Sequence, residues 1–409
     1  MDNSTLKGIA YALIVVSISL TLLQGYFVFF RMLWLTTTIG AVISFLLCDK
    51  SIRNRSFPLL LIYLLLVFLN YISGDDYFGS IGNVVLESSS LILACLMFYG
   101  LVISNDIKMQ RIVIYTFIVI LILTTILSLI ADSFFPGIIR YAFVASVTGI
   151  DKTLVYNYYR IGMSNYSLPH ATPVLVPAVV YGLKCHMKKN KALRIMLWSA
   201  LVSLIILSYL SGSTTAFFLS LLSLAICVSI KPGNNRDNIS RILILLIIAS
   251  PLLISKDLQL SILNMFDNFI GGYSYFHQKV MLFQESITNE NIDVMENREF
   301  LYQQSIDGFF SNPLIGTNSK IGGHSSLLDR LATLGIIGII PLILFLIYQY
   351  KSTAKRMKEN DVIFYAVGFM MGLLMCSVKS FWYWETHFAM FVFLPISIIL
   401  FRKKTMGSK

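Results

Sequence analysis

His324, Asp329 and Arg330 fall within about two helical turns of one another in the run GGHSSLLDRLATLGIIG, residues 322–338. His324 stands where a long polar segment meets a hydrophobic one. Neutral imidazole is the side chain best suited to taking a proton from a hydroxyl, a sugar hydroxyl included, near neutral pH. A histidine at a membrane interface also serves as a purely structural residue, so the setting has to decide. Gly322 and Gly323 permit a sharp turn or close approach to a ligand, and Ser325 or Ser326 can cap the helix that follows. Asp329 and Arg330 lie about one and a half turns further in, where a lone charge facing lipid is expensive. Two readings fit them: they face a partner or a wet cavity, or they form a salt bridge with each other or a neighbour and fix helix packing.

The elements that must position these residues are membrane helices. Of 409 residues 56% are hydrophobic and only 13% charged, and stretches such as 112–129 approach the roughly 20 apolar residues a spanning helix requires. The first apolar stretch, Leu6 to Phe30, has no small-residue cleavage site after it and reads as a retained first span. The five cysteines lie in or beside apolar stretches with no CxxC pair, which argues against a disulfide framework or a zinc cage. An all-α polytopic fold of about twelve transmembrane helices is expected, at about 7–29, 32–48, 57–73, 84–103, 112–131, 168–184, 194–210, 214–230, 240–255, 325–349, 361–378 and 388–401. The organisation is then helices 1–9 within 1–255, a large helical periplasmic loop over 256–324, and helices 10–12 with a tail over 325–409. A second long outer loop covers 132–167.

The formal charge of +11 reads as a topology signal rather than a nucleic-acid surface. Connectors after even-numbered spans carry Lys50 and Arg53, then Lys108 and Arg111, then the Lys184–Arg194 cluster, then Lys231 and Arg241, then Lys351 and Arg356. About 22 of the 32 basic residues lie on that side, facing about 6 acids, so the positive-inside bias makes it cytoplasmic. Both termini are then inside, and His324 faces out. In the larger outer loop Tyr302, Ile306, Phe309 and Phe310 form an apolar stripe that predicts a short amphipathic helix ending before Asn312-Pro313; such a helix can lie on the bilayer or roof a cavity. The absence of an internal repeat weighs against a transporter built from inverted halves.

Other residues carry weaker signals. His170, after Pro169, lines the same cavity or packs at the interface, and His277 sits in an aromatic stretch that stacks on sugars or packs the loop. Trp382, Tyr383, Trp384 and His387 read as an interfacial belt, and Glu87 is functional if it lies within the membrane. No carboxylate cluster resembles a DxD or HExxH site, so neither a metal nor another cofactor is expected.

The run from Asn297 to Gly338 resembles the signature of the O-antigen polymerase and ligase superfamily, bacterial integral membrane transferases of surface polysaccharide assembly. That signature is an arginine opening an amphipathic helix, a Pro-Leu-hydrophobic-Gly turn, and a histidine before a Leu-rich helix with a late Gly-x-x-Gly. Arg298, residues 312–316, His324, and Gly335 with Gly338 match in order. The run YYRIG, residues 158–162, is similar to the family's first outer-loop motif and puts Arg160 at an arginine position. The run SGSTTA, residues 211–216, is similar to a Ser-Arg or Thr-Arg helix start, but Thr214 occupies the arginine position here.

The resemblance implies transfer of a glycan from undecaprenyl pyrophosphate. That leaving group is already activated, so the enzyme has to stabilise the departing pyrophosphate and supply a base. Arginine matches phosphate oxygens bidentately and stays charged, which makes Arg298 and Arg160 the expected pyrophosphate ligands and His324 the base, with Asp329, Arg330, Lys320 and Thr214 as supporting residues. Arg160 and Arg298 can equally pair with loop acids such as Asp151 or Glu299. The form HSSLLDRL, residues 324–331, is closer to the polymerases than to the ligases. A polymerase acts on lipid-linked repeat units in the inner membrane, alongside a chain-length regulator and a flippase. A ligase delivering the glycan to lipid A core, and a flippase of the lipid-linked unit, are the two rival readings.

Overall fold

The computed structural model describes residues 3–23, 28–47, 56–73, 81–103, 106–140, 157–158, 162–186, 190–230, 238–242, 244, 247, 255–270, 277, 280–281, 284, 298–317, 321–323, 325–379 and 384–406. Within its helices the side chains of some residues, Glu87, Thr214 and Arg298 among them, lie outside the description. The described residues are 89% helical, with no strand among them.

The helices are α1 (Asn3–Leu23), α2 (Val28–Leu47), α3 (Ser56–Ser73), α4 (Ile81–Phe98), α5 (Ile107–Phe134), α6 (Ser167–His186), α7 (Lys191–Leu210) and α8 (Thr214–Ser229). They continue with α9 (Lys256–Ile270), α10 (Arg298–Ser311), α11 (Ser326–Ala354), α12 (Glu359–Val378), α13 (Trp384–Phe388) and α14 (Leu394–Met406). A π-helical turn, Tyr99–Ile103, ends α4, and another, Ala389–Phe393, joins α13 to α14. Helices therefore occupy eleven of the twelve expected positions; most of the ninth, 240–255, lies outside the described residues. Five of the described helices are long and apolar enough to cross a membrane: α5, α7, α11, α12 and the continuous 384–402 segment.

Polar residues start these helices by satisfying first-turn amides. Asp106 accepts from Met109 N at 3.1 Å, Asn190 from Leu193 N at 3.0 Å, and Ser325 from Leu328 N at 3.1 Å. The 28 residues of α5 begin at Ile107, earlier than apolarity alone indicates, because the Asp106 cap carries the helix through Lys108 and Arg111.

α6 is the hub of the bundle, buried on all sides from Leu168 to Leu183 and packed against α7, α8, α12 and α14. Its polar side chains turn inward and bond its neighbours: Thr172 Oγ1 lies 2.5 Å from Ser220 Oγ, and Ser223 Oγ donates to Pro173 O at 2.8 Å. The proline content makes this work, since Pro177 has no N–H to give the Pro173 carbonyl one turn back, and Ser223 of α8 donates to it instead. At the other end Lys184 Nζ donates to the Cys227, Val228 and Ile230 carbonyls at 2.8, 3.0 and 2.5 Å, closing the C-terminus of α8.

Helix ends alternate between two faces of the bundle. One face gathers the C-termini of α5, α7 and α12 and the N-termini of α6, α8, α11 and α13, cross-linked by bonds such as Arg140 Nη1 to Gly212 O at 3.2 Å and Asn165 Nδ2 to Glu385 Oε1 at 2.6 Å. The opposite face holds Ser56, Tyr99 and Gln349, with Tyr99 OH donating to Gln349 Oε1 at 2.9 Å, and the Arg402–Asp361 pair at 3.6 Å.

Candidate functional site

The first face contains the chain segment that sequence reasoning singled out. Ser325 caps α11, and Asp329, one turn inside it, turns back toward the preceding loop. Its Oδ2 accepts from Gly323 N at 3.0 Å and from Ser325 N at 3.2 Å, while Oδ1 accepts from Ser305 Oγ of α10 at 2.7 Å. Asp329 is 3% exposed, and three donors on two oxygens satisfy a carboxylate that burial would otherwise penalise. Gly322 has φ +74°, and a Cβ there would collide with Ser305 Oγ and Asp329 Oδ1. The glycine is required because the loop passes directly against the carboxylate.

The same packing sets which face of α10 meets the bundle. The helix forms where expected, from Arg298 to Ser311, but its buried face consists of the small residues Ser305 and Gly308, while Ile306 and Phe310 are exposed. Small side chains permit the close approach: a Cβ on Gly308 would meet Ile321. Sequence periodicity located the helix; its small residues, and not the apolar Ile306 and Phe310, meet the bundle.

Beyond Asp329, α11 is broken. Gly335 has φ 61° and ψ −170°, a backbone region open essentially to glycine alone. The turn after α10 fills the break with its own backbone. Ile336 N donates to Pro313 O at 2.9 Å and Ile337 N to Leu314 O at 3.0 Å, while Thr317 N donates to Ala332 O at 2.9 Å. The carbonyl of Thr333 accepts from Asn70 Nδ2 at 3.4 Å. The Pro-Leu-Ile-Gly turn and the late glycine are thus two halves of one backbone junction, and Gly316 is excluded from carrying a side chain because its Cβ would strike Thr333 O.

Arg330 points into the bundle, 4% exposed, with its guanidinium carbon 5.7 Å from the centroid of the Tyr63 ring. A salt bridge between Asp329 and Arg330 is not what holds this turn; the carboxylate bonds Ser305 and backbone amides, and the guanidinium stacks toward an aromatic face.

Several expected site residues lie outside the described residues: His324, Lys320 and Arg160. Gly323 and Ser325, which flank His324 in sequence, are both tied to Asp329. Arg298 is the first residue of α10, two turns before Ser305, with its side chain outside the description. Thr214 is the first residue of α8, likewise without a described side chain.

The α8 start is a second polar cluster. His170, fully buried, places Nδ1 2.8 Å from Tyr166 O and Nε2 3.0 Å from Ser213 Oγ. The carbonyl can only accept, so Nδ1 carries the proton and Nε2 of the neutral ring accepts from the serine hydroxyl. Arg140 reaches the same segment through its bond to Gly212 O, two residues before Thr214. Sequence reasoning had no signal for Arg140, which sits in a short turn remote from any motif.

Of two further buried polar groups at α13, that of Glu385 has no signal in the sequence, while His387 is expected in an interfacial belt. α13 begins at Trp384, and Trp384, Glu385 and His387 are buried helix residues, while Trp382 and Tyr383 of the expected interfacial belt lie outside the described residues. Glu385 is bonded to Asn165, which also caps α6 through Leu168 N at 3.0 Å, and His387 Nδ1 lies 2.9 Å from Ser90 Oγ of α4. His277, by contrast, is exposed and paired with Asp267 at 2.9 Å; its aromatic neighbours 273–276 lie outside the described residues. Among the described residues no cluster of His, Cys, Asp or Glu is suited to a metal ion. No protein-family model matches the chain, and no curated protein matches it.

Proposed function

We propose that this chain is a membrane glycosyltransferase of surface polysaccharide assembly, a polymerase that moves a growing glycan from undecaprenyl pyrophosphate to the non-reducing end of a lipid-linked repeat unit. The observation that carries the reading is the Asp329 carboxylate, bonded to the backbone amides on either side of the His324 position and to the helix that Arg298 opens. A base needs a positioned backbone if it is to meet its proton in line, and the resemblance assigns that proton to the acceptor hydroxyl.

On this reading His324 takes the hydroxyl proton as the acceptor oxygen attacks the anomeric carbon. The bond from that carbon to the pyrophosphate oxygen breaks in the same displacement, the configuration inverts, and undecaprenyl pyrophosphate leaves with the bonding electrons. Arg298 and Arg160 face the developing negative charge; a preorganised donor aimed at such charge is worth on the order of 3 kcal/mol. Arg140, held beside the α8 start, supplies the cation that Thr214 does not. The reaction proceeds at the periplasmic face of the inner membrane with both termini cytoplasmic, no cofactor, and the flippase and chain-length regulator of the same pathway as partners.

The test is the surface polysaccharide of cells carrying His324→Ala, Arg298→Ala, Arg160→Ala or Arg140→Ala, separated on a gel. A single repeat on lipid A core is the expected result. Unligated long polymer would identify a ligase, and loss of lipid-linked substrate on the outer face with chain length intact would identify a flippase. A normal ladder from the His324→Ala cells would overturn the assignment of the base.

A further inference from the structure

The tip of the α10 hairpin is apolar and uncovered. Phe310 is 72%, Leu314 61% and Ile315 63% exposed, three large side chains within six residues. Single exposed apolar residues are ordinary, whereas a contiguous group marks an interaction surface. Its location on the bundle identifies what covers it.

α10 and the first part of α11 run in the same direction. Ser305 meets Asp329 near the head of α11, and further along both, Pro313 and Leu314 meet Ile336 and Ile337. The tip is therefore level with the Gly335 break. It adjoins the outward flank of α11, where Ile336, Ile337, Ile340, Ile343, Leu344 and Ile347 are all exposed, as a helix facing acyl chains requires. The patch is continuous with that flank.

The length of α11 sets the same level independently. Its 29 residues would span about 43 Å at 1.5 Å per residue, well beyond a hydrocarbon layer of about 30 Å. From Gly335 to Ala354 the length is about 30 Å, which fits. The segment before the break is the part that holds Asp329 and Arg330. Alongside it, on α10, the exposed side chains are Phe300, Gln303, Gln304, Ile306 and Asp307, a mixed surface, whereas the large exposed side chains of the tip are all apolar.

We infer that the tip, residues 310–315, is inserted into the adjacent bilayer leaflet, that acyl chains cover Phe310, Leu314 and Ile315, and that the hydrocarbon layer begins at Gly335. The segment carrying Asp329 then stands in the headgroup layer, at the depth where the phosphates of a lipid reside. This placement holds whatever reaction the chain performs.

The test introduces p-benzoylphenylalanine singly at Phe310, Leu314 and Ile315, with Ile340 and Gln304 as references, into the full-length protein in vesicles of phosphatidylethanolamine and phosphatidylglycerol. Illumination followed by mass spectrometry reads what each position touches. Phospholipid adducts at Leu314 and Ile315 are expected to match those at Ile340 and to exceed those at Gln304 at least about fivefold. Yields at Leu314 and Ile315 as low as at Gln304 put the tip in water and overturn the inference. Cross-linked chains at these positions overturn it in favour of a second copy. Should the bulky probe unfold the protein, Leu314→Trp read by quenching from acyl-brominated lipid makes the same distinction.

Discussion

Ser305 donates a hydrogen bond to Asp329 at 2.7 Å, across 24 residues of sequence and between two helices. Through that bond the helix opened by Arg298 and the loop that contains His324 share one carboxylate.

The carboxylate acts here as an acceptor of three bonds, and this predicts how its variants behave. Asp329→Ala removes the acceptor of the Gly323 and Ser325 amides and leaves Ser305 Oγ only the Leu301 carbonyl, at about 1–3 kcal/mol for a buried group left unsatisfied, and on the proposed function shortens the polysaccharide ladder. Asp329→Asn can keep all three contacts, its carbonyl oxygen facing Gly323 N and Ser325 N and its NH2 facing Ser305 Oγ. Melting temperature in detergent and ladder length for both variants check this. An Asn protein as defective as the Ala protein would show that negative charge, and not hydrogen bonding, is what the site requires.

Gly335 is the second sensitive point. Its φ of 61° with ψ of −170° excludes a side chain, and a Cβ would meet Leu314 O. Gly335→Ala is expected to cost at least about 1–3 kcal/mol and to melt well below the parent. An unchanged melting temperature would mean that α11 runs through this position without the break.

Arg330 tests the aromatic contact. Tyr63→Phe keeps the ring beneath the guanidinium and removes a buried hydroxyl that has no hydrogen-bond partner, so stability is expected to hold or rise. Tyr63→Leu removes the ring face and loses about 0.5–2 kcal/mol of cation–π attraction together with packing. The ranking Phe above Leu in thermal unfolding is the measured outcome; equal melting temperatures would deny the contact any energetic role.

Asn165 bridges the heads of α6 and α13. Asn165→Asp keeps the cap on Leu168 N but sets a second carboxylate against Glu385, 2.6 Å away in the parent, and like charges in a buried pair are strongly unfavourable. It should fold poorly at neutral pH, and adding Glu385→Gln should rescue it, since the glutamine amide donates to the new carboxylate. Expression yield and monodispersity of the single and double variants decide the matter; a stable single variant would contradict the bond.

The sequence alone determined the class of this protein and the positions of its helices. Apolar runs of spanning length and polar capping residues act locally, over one helix at a time, and eleven expected helices lie within a few residues of where their composition put them. It also drew attention to residues 312–338, because glycines, a proline turn and charges so close together are unusual in a lipid-facing chain. What it could not supply was direction. α10 presents its small residues inward and its apolar stripe outward, since close backbone approach to the Asp329 loop outweighs burial of Phe310 when lipid offers that side chain an apolar surrounding. Arg140, Asn165 and Glu385, and the contact of His387 with Ser90, became visible only in the tertiary structure. Their partners lie tens to hundreds of residues away, and a hydrogen bond formed by the meeting of two helices leaves no periodic trace in either.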